Sequence, residues 1–203
     1  REYPGLAGPI QAIAISPNSQ QIAAGGTGKT MMIWQLSNAT PQYRVVSPAA
    51  VTQIAFSPDS KKLVTAGSDN ILRNYDPTPP NPAPGEPLTR EVAQSMTGHT
   101  ATIGAIAFAA DSRTLLSASA DGSAKTWSVA AAGFTASLTG HSSQIYNLAF
   151  SPDGKTLVSA SNDKTLRLWD AVGNKAIKTI ATQPAGVYSV AFSADGKFLV
   201  TGA

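Results

Sequence analysis

Cysteine is absent from all 203 residues. Disulfides and thiolate metal sites are therefore excluded, while the cytoplasm and an extracytoplasmic compartment such as the bacterial periplasm fit equally well. Charge is also scarce, at 13% of residues, and histidine occurs only twice. No apolar run approaches the roughly 18 residues of a membrane span, so none is expected. The net charge is +3, from 15 Lys and Arg against 12 Asp and Glu. The bases are dealt out singly, the longest run being Lys61-Lys62, and no basic stripe exists for nucleic acid. There is no basic, apolar, small-residue leader and no initiating Met, which reads as a mature or excised piece. Helical periodicity of useful length is missing as well.

What is present is repetition. Ile15 and Trp34, Phe56 and Tyr75, Phe108 and Trp127, and Phe150 and Trp169 each stand 19 residues apart, and Phe192 opens a fifth unit. Each anchor precedes a turn cluster: Ser16-Pro17-Asn18, Ser57-Pro58-Asp59-Ser60, Ala109-Ala110-Asp111-Ser112, Ser151-Pro152-Asp153-Gly154 and Ser193-Ala194-Asp195-Gly196. Pro presets φ, Asp bonds local backbone and Gly tolerates positive φ, so these clusters predict tight hairpin turns. An alternating strand precedes each turn. A second strand, a short turn, a third strand and a fourth apolar stretch follow it. The prediction is all-β, with four short strands per unit of about 42 residues.

Gly98-His99, Ser117, Asp121 and Trp127, and again Gly140-His141, Ser159, Asp163, Trp169 and Asp170, resemble the WD-repeat β-propeller family in joint spacing. The resemblance spans nearly the whole chain and implies one partial propeller over 1–203. Its blade units run approximately 6–47, 48–98, 99–140, 141–182 and an incomplete 183–203. It also implies two buried hydrogen-bond tetrads, His99/Ser117/Asp121/Trp127 and His141/Ser159/Asp163/Trp169. The second unit keeps Thr65 and Asp69 but has Ser47 for His and Tyr75 for Trp. The first keeps only Trp34, with Leu6, Ala24 and Gly28 at the other places. Family rings favour seven blades, so a longer ring is expected. Near-perfect Ser-Pro-Asp-Gly-Lys units and an Ala/Ser/Gln-rich, low-charge style resemble bacterial members.

In that family partners most often meet the narrow top face around the channel. The corresponding positions include Gln11, Thr52, Thr102, Gln144, Tyr146, Asn162 and Tyr188, none of them charged. Tyr146 and Tyr188, with Gln144 and Asn162, form a candidate aromatic–amide patch for peptide; the bland alternative is the wall of a wet channel. The second unit also carries a Pro-rich insertion, 76–90, placed between its third and fourth strands. Six of its residues from Pro77 to Pro87 are proline, which favours polyproline-II, either as a tolerated surface loop or as a ligand for a Pro-binding groove.

Catalytic readings find little support. Ala23 to Thr30 matches a relaxed phosphate-loop pattern, but Met31-Met32-Ile33-Trp34 predicts a strand where a helix is required. Nine of the 12 acids hold repeat positions and both histidines belong to tetrads. Only Glu2, Glu86 and Glu91 remain, so no metal, cofactor or small-molecule substrate is expected. The function expected is a non-catalytic scaffold for a protein or peptide partner. Two alternatives stand: an accessory propeller of a larger bacterial enzyme, sensor or cytochrome-type fusion, or a structural subunit of a fixed assembly.

Overall fold

The computed structural model describes residues 2–78, 89–90 (backbone only), 94–131, 133–180 and 183–203. All of its regular structure is β, in two compact units, 1–97 and 98–203. In the first unit β1 (Ile10–Ile15), β2 (Gln21–Gly26), β3 (Thr30–Gln35) and β4 (Pro41–Val46) form an antiparallel meander. β5 (Val51–Phe56), β6 (Leu63–Gly67), β7 (Leu72–Tyr75) and β9 (Gln94–Met96) form the next. The second unit repeats this twice. β10 (Ile103–Phe108), β11 (Thr114–Ser119), β12 (Ala124–Ser128) and β13 (Gly133–Leu138) make one sheet. β14 (Ile145–Phe150), β15 (Thr156–Ser161), β16 (Leu166–Asp170) and β17 (Lys175–Ile180) make another, and β18 (Ser189–Phe192) pairs with β19 (Leu199–Gly202). These are four-stranded sheets of the kind that build propeller blades.

Residue size explains the stacking. The second strand of each meander is buried along nearly its whole length, and β15 shows why, with Leu157 packed in the cluster shared with the preceding sheet and Val158 and Ala160 in the cluster shared with β18 and β19. Its residues are correspondingly small: Ala-Ala-Gly-Gly in β2 and Ser-Ala-Ser in β11 and β15. Large apolar groups fill the layers between. Ile33, Tyr43, Ile54 and Leu63 join the two sheets of the first unit, while Leu116, Leu148, Leu157 and Trp169 join the first two sheets of the second.

The hairpin turns share one device. Ser57, Ser151 and Ser193 donate their hydroxyls to Asp59, Asp153 and Asp195 at 2.5–2.6 Å, and each Asp accepts a backbone N–H two residues on. The residue after the Asp, or after Asn18 in the first unit, turns left-handed in all five units: Ser19, Ser60, Ser112, Gly154 and Gly196, with φ between 58° and 71°. Serine thus holds in three units a conformation that glycine takes freely.

The Pro-rich insertion does more than loop out. Tyr43 Oη donates to the Asp76 carbonyl, Gln21 Nε2 donates to that of Pro77, and β8 (Thr89–Arg90) lies parallel to β4. The segment therefore leaves the second sheet and returns along the outer edge of the first, making it five-stranded. The polyproline-II expectation falls mostly on 79–88, outside the described residues.

Candidate functional site

His99 and His141 sit at the start of their sheets, each behind a glycine with positive φ, 152° at Gly98 and 149° at Gly140. A Cβ on Gly98 would stand 3.2 Å from Trp127, and one on Gly140 would stand 2.5 Å from the mobile end of Arg167, so the positive φ is the stronger reason for glycine at both places. Trp127 Nε1 donates to Ser117 Oγ at 2.8 Å, Ser117 Oγ meets His99 Nε2 at 2.6 Å, and His99 Nδ1 meets Asp121 at 2.8 Å. The other sheet repeats this chain through Trp169, Ser159, His141 and Asp163, at 2.8, 2.7 and 2.7 Å. A consistent proton arrangement runs indole N–H to serine, serine O–H to Nε2, and Nδ1–H to carboxylate.

Charge in these chains is settled by their surroundings. Burial opposes ionisation of Asp121, but the Ser123 hydroxyl, His99 and backbone N–H groups outweigh it and pull its pKa to about 2. Asp163 reaches about 2 through Thr165, His141 and the Ser142 amide, again against burial. Burial lowers both histidine pKa values below 6.5 despite the neighbouring carboxylates, so the imidazoles are neutral at pH 7. Their protons hold structure together, and neither ring is free to act as a general base.

The first unit fills the same places differently. Asp69 pairs with Arg73, a buried guanidinium whose Nη1 and Nη2 lie 3.0 and 2.5 Å from its two oxygens. Among the described residues Ser47 Oγ and the Tyr75 hydroxyl are buried without hydrogen-bond partners. Burial raises the Tyr75 pKa, with Thr65 nearby offsetting it only in part. In the first sheet Leu6 packs with Ile22, Ala24, Met32 and Trp34, and the Trp34 indole donates to the Pro4 carbonyl at 3.1 Å. The sequence reading missed Arg73. Its signal was a base recurring opposite the tetrad hydroxyl: Thr65 with Arg73, Ser117 with Lys125, Ser159 with Arg167. A second missed signal was the hydroxyl two residues past the acid, Ser123 and Thr165, replaced by Ile71 after Asp69.

Three of the top-face positions share a backbone cause. The first strand of each of the four larger sheets slips register by one residue, and the residues passed over are Gln11, Thr52, Gly104 and Tyr146. Such bulges re-aim a side chain at the end of a sheet. Gln11 and Thr102 are exposed, and Thr52 Oγ1 is tied to the Ala66 carbonyl at 3.1 Å. In the second unit the bulge brings Tyr146 against Tyr188, ring centroids 4.8 Å apart and planes at 36°. Asn162 is tied to the neighbouring Gln144, its backbone N–H donating to the Gln144 carbonyl at 2.9 Å. Tyr188 remains 56% exposed, so the pair is open to a ligand.

Other concavities carry no comparable chemistry. Two half-open clefts of about 450 Å³ lie between neighbouring sheets of the second unit. Asp111, Asp153 and Asp195, which line them, are engaged in their own turns. Among the described residues no three His, Asp or Glu gather as metal ligands, and no helix is long and apolar enough to cross a membrane. The phosphate-loop-like stretch from Ala23 to Thr30 is strand β2, a turn and the start of β3.

Comparison with known proteins matches the model of the WD domain, G-beta repeat, to residues 1–35, 41–76, 90–128, 133–170 and 174–203. The small ribosomal subunit protein RACK1 of Schizosaccharomyces pombe is 33% identical over 67 residues, 33% of this chain and 21% of its own. Striatin of Rattus norvegicus is 24% identical over 131 residues, 58% of this chain and 17% of its own. Eukaryotic translation initiation factor 3 subunit I of Candida albicans is 35% identical over 68 residues, 34% and 19% of the two. The chain spans about a fifth of the length of these relatives. All three are eukaryotic, so the bacterial style expected from the repeats has no counterpart among them.

Proposed function

The chain belongs to the WD domain, G-beta repeat family, and from that premise we propose that it is a non-catalytic scaffold docking a protein or peptide partner. The observation that carries the reading is the Tyr146–Tyr188 pair with Gln144 and Asn162, an exposed aromatic surface aimed by a bulge and free of charge. Aromatic side chains supply large contact area at low entropic cost and dominate peptide and protein interfaces. Among the described residues both histidines are held in the hydrogen-bond chains and no three His, Asp or Glu gather, which supports binding over bond-making. A second form of the reading, a structural subunit of a fixed assembly, draws on two of the relatives, whose names describe subunits of larger particles. The bacterial affinity belongs to the same proposal and rests on the Ser-Pro-Asp-Gly-Lys composition alone.

The test compares affinity capture by the wild type and by Tyr146→Ala/Tyr188→Ala, with captured proteins quantified by mass spectrometry. The double variant should lower Tm by no more than about 4 °C while losing the bound partner. Retention of the same partner would move the interface off this surface. Light scattering of the captured particle separates the two forms: a defined stoichiometric mass marks a fixed subunit, an exchanging one a scaffold.

A further inference from the structure

We infer that the Tyr146–Tyr188 surface is gated by acid, protonation of His141 loosening the turn that holds both tyrosine-bearing segments so that a docked partner is released. This rests on the docking surface proposed above and adds its regulation. The turn is Ser161-Asn162-Asp163-Lys164, at the end of β15. On the Tyr146 side, Ser142 N–H donates to Asp163 at 3.0 Å and Asn162 N–H to the Gln144 carbonyl at 2.9 Å. The Ser161 hydroxyl faces the Ser143 and Gln144 carbonyls at 3.2 and 2.9 Å. On the Tyr188 side, Gln183 N–H donates to the Lys164 carbonyl at 2.8 Å and Val187 N–H to that of Ser161 at 2.9 Å. Gly186 packs so closely on Asn162 that a Cβ there would stand 2.8 Å from Oδ1. One turn therefore ties down the backbone leading into each tyrosine.

Asp163 keeps that turn closed. Its Oδ1 accepts the Thr165 N–H and hydroxyl, and its Oδ2 meets His141 Nδ1 at 2.7 Å beside the Ser142 N–H. The charged groups facing the imidazole are Asp163 and Arg167 of β16, while β15 supplies Ser159 and Trp169 lies against the ring. A second proton, on Nε2, would point at Ser159 Oγ, 2.7 Å away, which already accepts the Trp169 indole N–H. The serine's own proton then loses its acceptor at a fully buried position. The new charge also sits on a side chain with no exposure, near a guanidinium whose buried Nε has no partner among the described residues. Asp163 attracts the imidazolium, but burial outweighs that attraction and holds His141 below 6.5. The sign follows: the closed turn is favoured above pH 6.5 and is lost as pH falls through the folded value. One proton shifts the closed-to-open ratio by at most about tenfold per pH unit. Because His141 adjoins Ser142, a departing imidazolium takes the Ser142 N–H off Asp163 and slackens the turn.

The first test needs no ligand. NMR of the isotope-labelled chain from about pH 7.5 to about pH 5.5 follows both imidazoles, the Ser142 and Val187 amides and the NOE between the Tyr146 and Tyr188 rings. The amides and the inter-ring NOE should change together, with one midpoint that coincides with the titration of His141. A tyrosine pair that holds across this range overturns the gate. So does one that follows His99, whose own turn meets this region where Gly122 lies near the His141 and Ser143 carbonyls. His141→Gln should abolish the pH dependence, and persistence of it overturns the assignment; should that variant fail to fold, the wild-type midpoint decides. Capture of the partner should then fall at least about threefold between the same two pH values. Constant capture while the tyrosine pair opens overturns the regulatory role. If capture is indifferent to Tyr146→Ala/Tyr188→Ala, the docking surface falls and release falls with it, and the NMR midpoint alone decides whether the turn opens.

Discussion

The sheets built on His99 and His141 and the sheet built on Ser47 share a frame but fill it with opposite economies. In the former a neutral imidazole links a hydroxyl to a carboxylate, and every polar atom of the chain from indole to Asp has a partner. In the latter Asp69 pairs with Arg73 and accepts the Ile71 N–H, and among the described residues the Ser47, Asn74 and Tyr75 side chains each bury an oxygen without a partner. Burial of the carboxylates follows suit: the Asp163 side chain is 6% exposed and that of Asp69 is 30%. The 19-residue frame, the bulge and the turn chemistry survive this exchange. The fold therefore depends on apolar spacing and backbone geometry, while the tetrad sets how firmly an individual sheet is locked.

Asp163→Ala is expected to break the comparison from the strong side. It strands His141, Thr165 and the Ser142 amide, and should cost about 2–4 kcal/mol in chemical denaturation. Arg73→Met, its counterpart, leaves a carboxylate with access to solvent and should cost only about 1–2 kcal/mol. Equal losses, or a loss below about 0.5 kcal/mol for Asp163→Ala, would remove the tetrad from the account of stability.

Acid sharpens the same contrast without mutation. The folded state lowers the His99 and His141 pKa values below 6.5, so it binds fewer protons than the unfolded chain. Their contribution is complete above pH 6.5 and is lost as pH falls below it through the folded values, by at most about 1.4 kcal/mol per pH unit and histidine. Asp121 and Asp163 add a second loss, as pH falls from 3.8 towards about 2. The first unit has no histidine. Between about pH 7.5 and about pH 5.5, hydrogen exchange corrected for intrinsic rates should show β11, β12, β15 and β16 losing protection while β2, β3, β6 and β7 keep theirs. Parallel loss in both units would assign acid sensitivity to something other than the tetrads.

The all-β fold was legible because a four-strand period repeats four times and begins a fifth, with turns that carry their own chemistry. The residues of the His-containing chains were legible because they recur at fixed offsets. Arg73 was hidden, since a base opposite a tetrad hydroxyl looks like an ordinary surface charge until register shows it facing Asp69. The path of the insertion was hidden for another reason. Parallel pairing of β8 with β4 joins residues 45 apart through backbone alone, and no side-chain pattern encodes that. Tyr146 and Tyr188 could be matched to positions, but their mutual contact needed the bulge at Tyr146, which hydrophobic alternation does not announce.

The smallest expected effect concerns the turns, where the left-handed position is serine in three units and glycine in two. Ser19 has φ of 58° there, against 69° at Gly154 and 71° at Gly196. A non-glycine residue pays about 1–2 kcal/mol for this conformation, and a new glycine returns about 0.4–1 kcal/mol of that through greater freedom when unfolded. Ser19→Gly should therefore stabilise by about 0.5 kcal/mol. Ser60 is the wrong site for the test, because its hydroxyl accepts the Asn18 N–H at 3.1 Å and its loss would mask the gain. The reverse change, Gly154→Ala, adds a Cβ 3.3 Å from that of Ala110 to the same backbone strain and should cost about 1 kcal/mol. If Ser19→Gly destabilises instead, the serine side chain supports the left-handed turn, and the early units differ from the later ones in turn mechanism as well as in their tetrads.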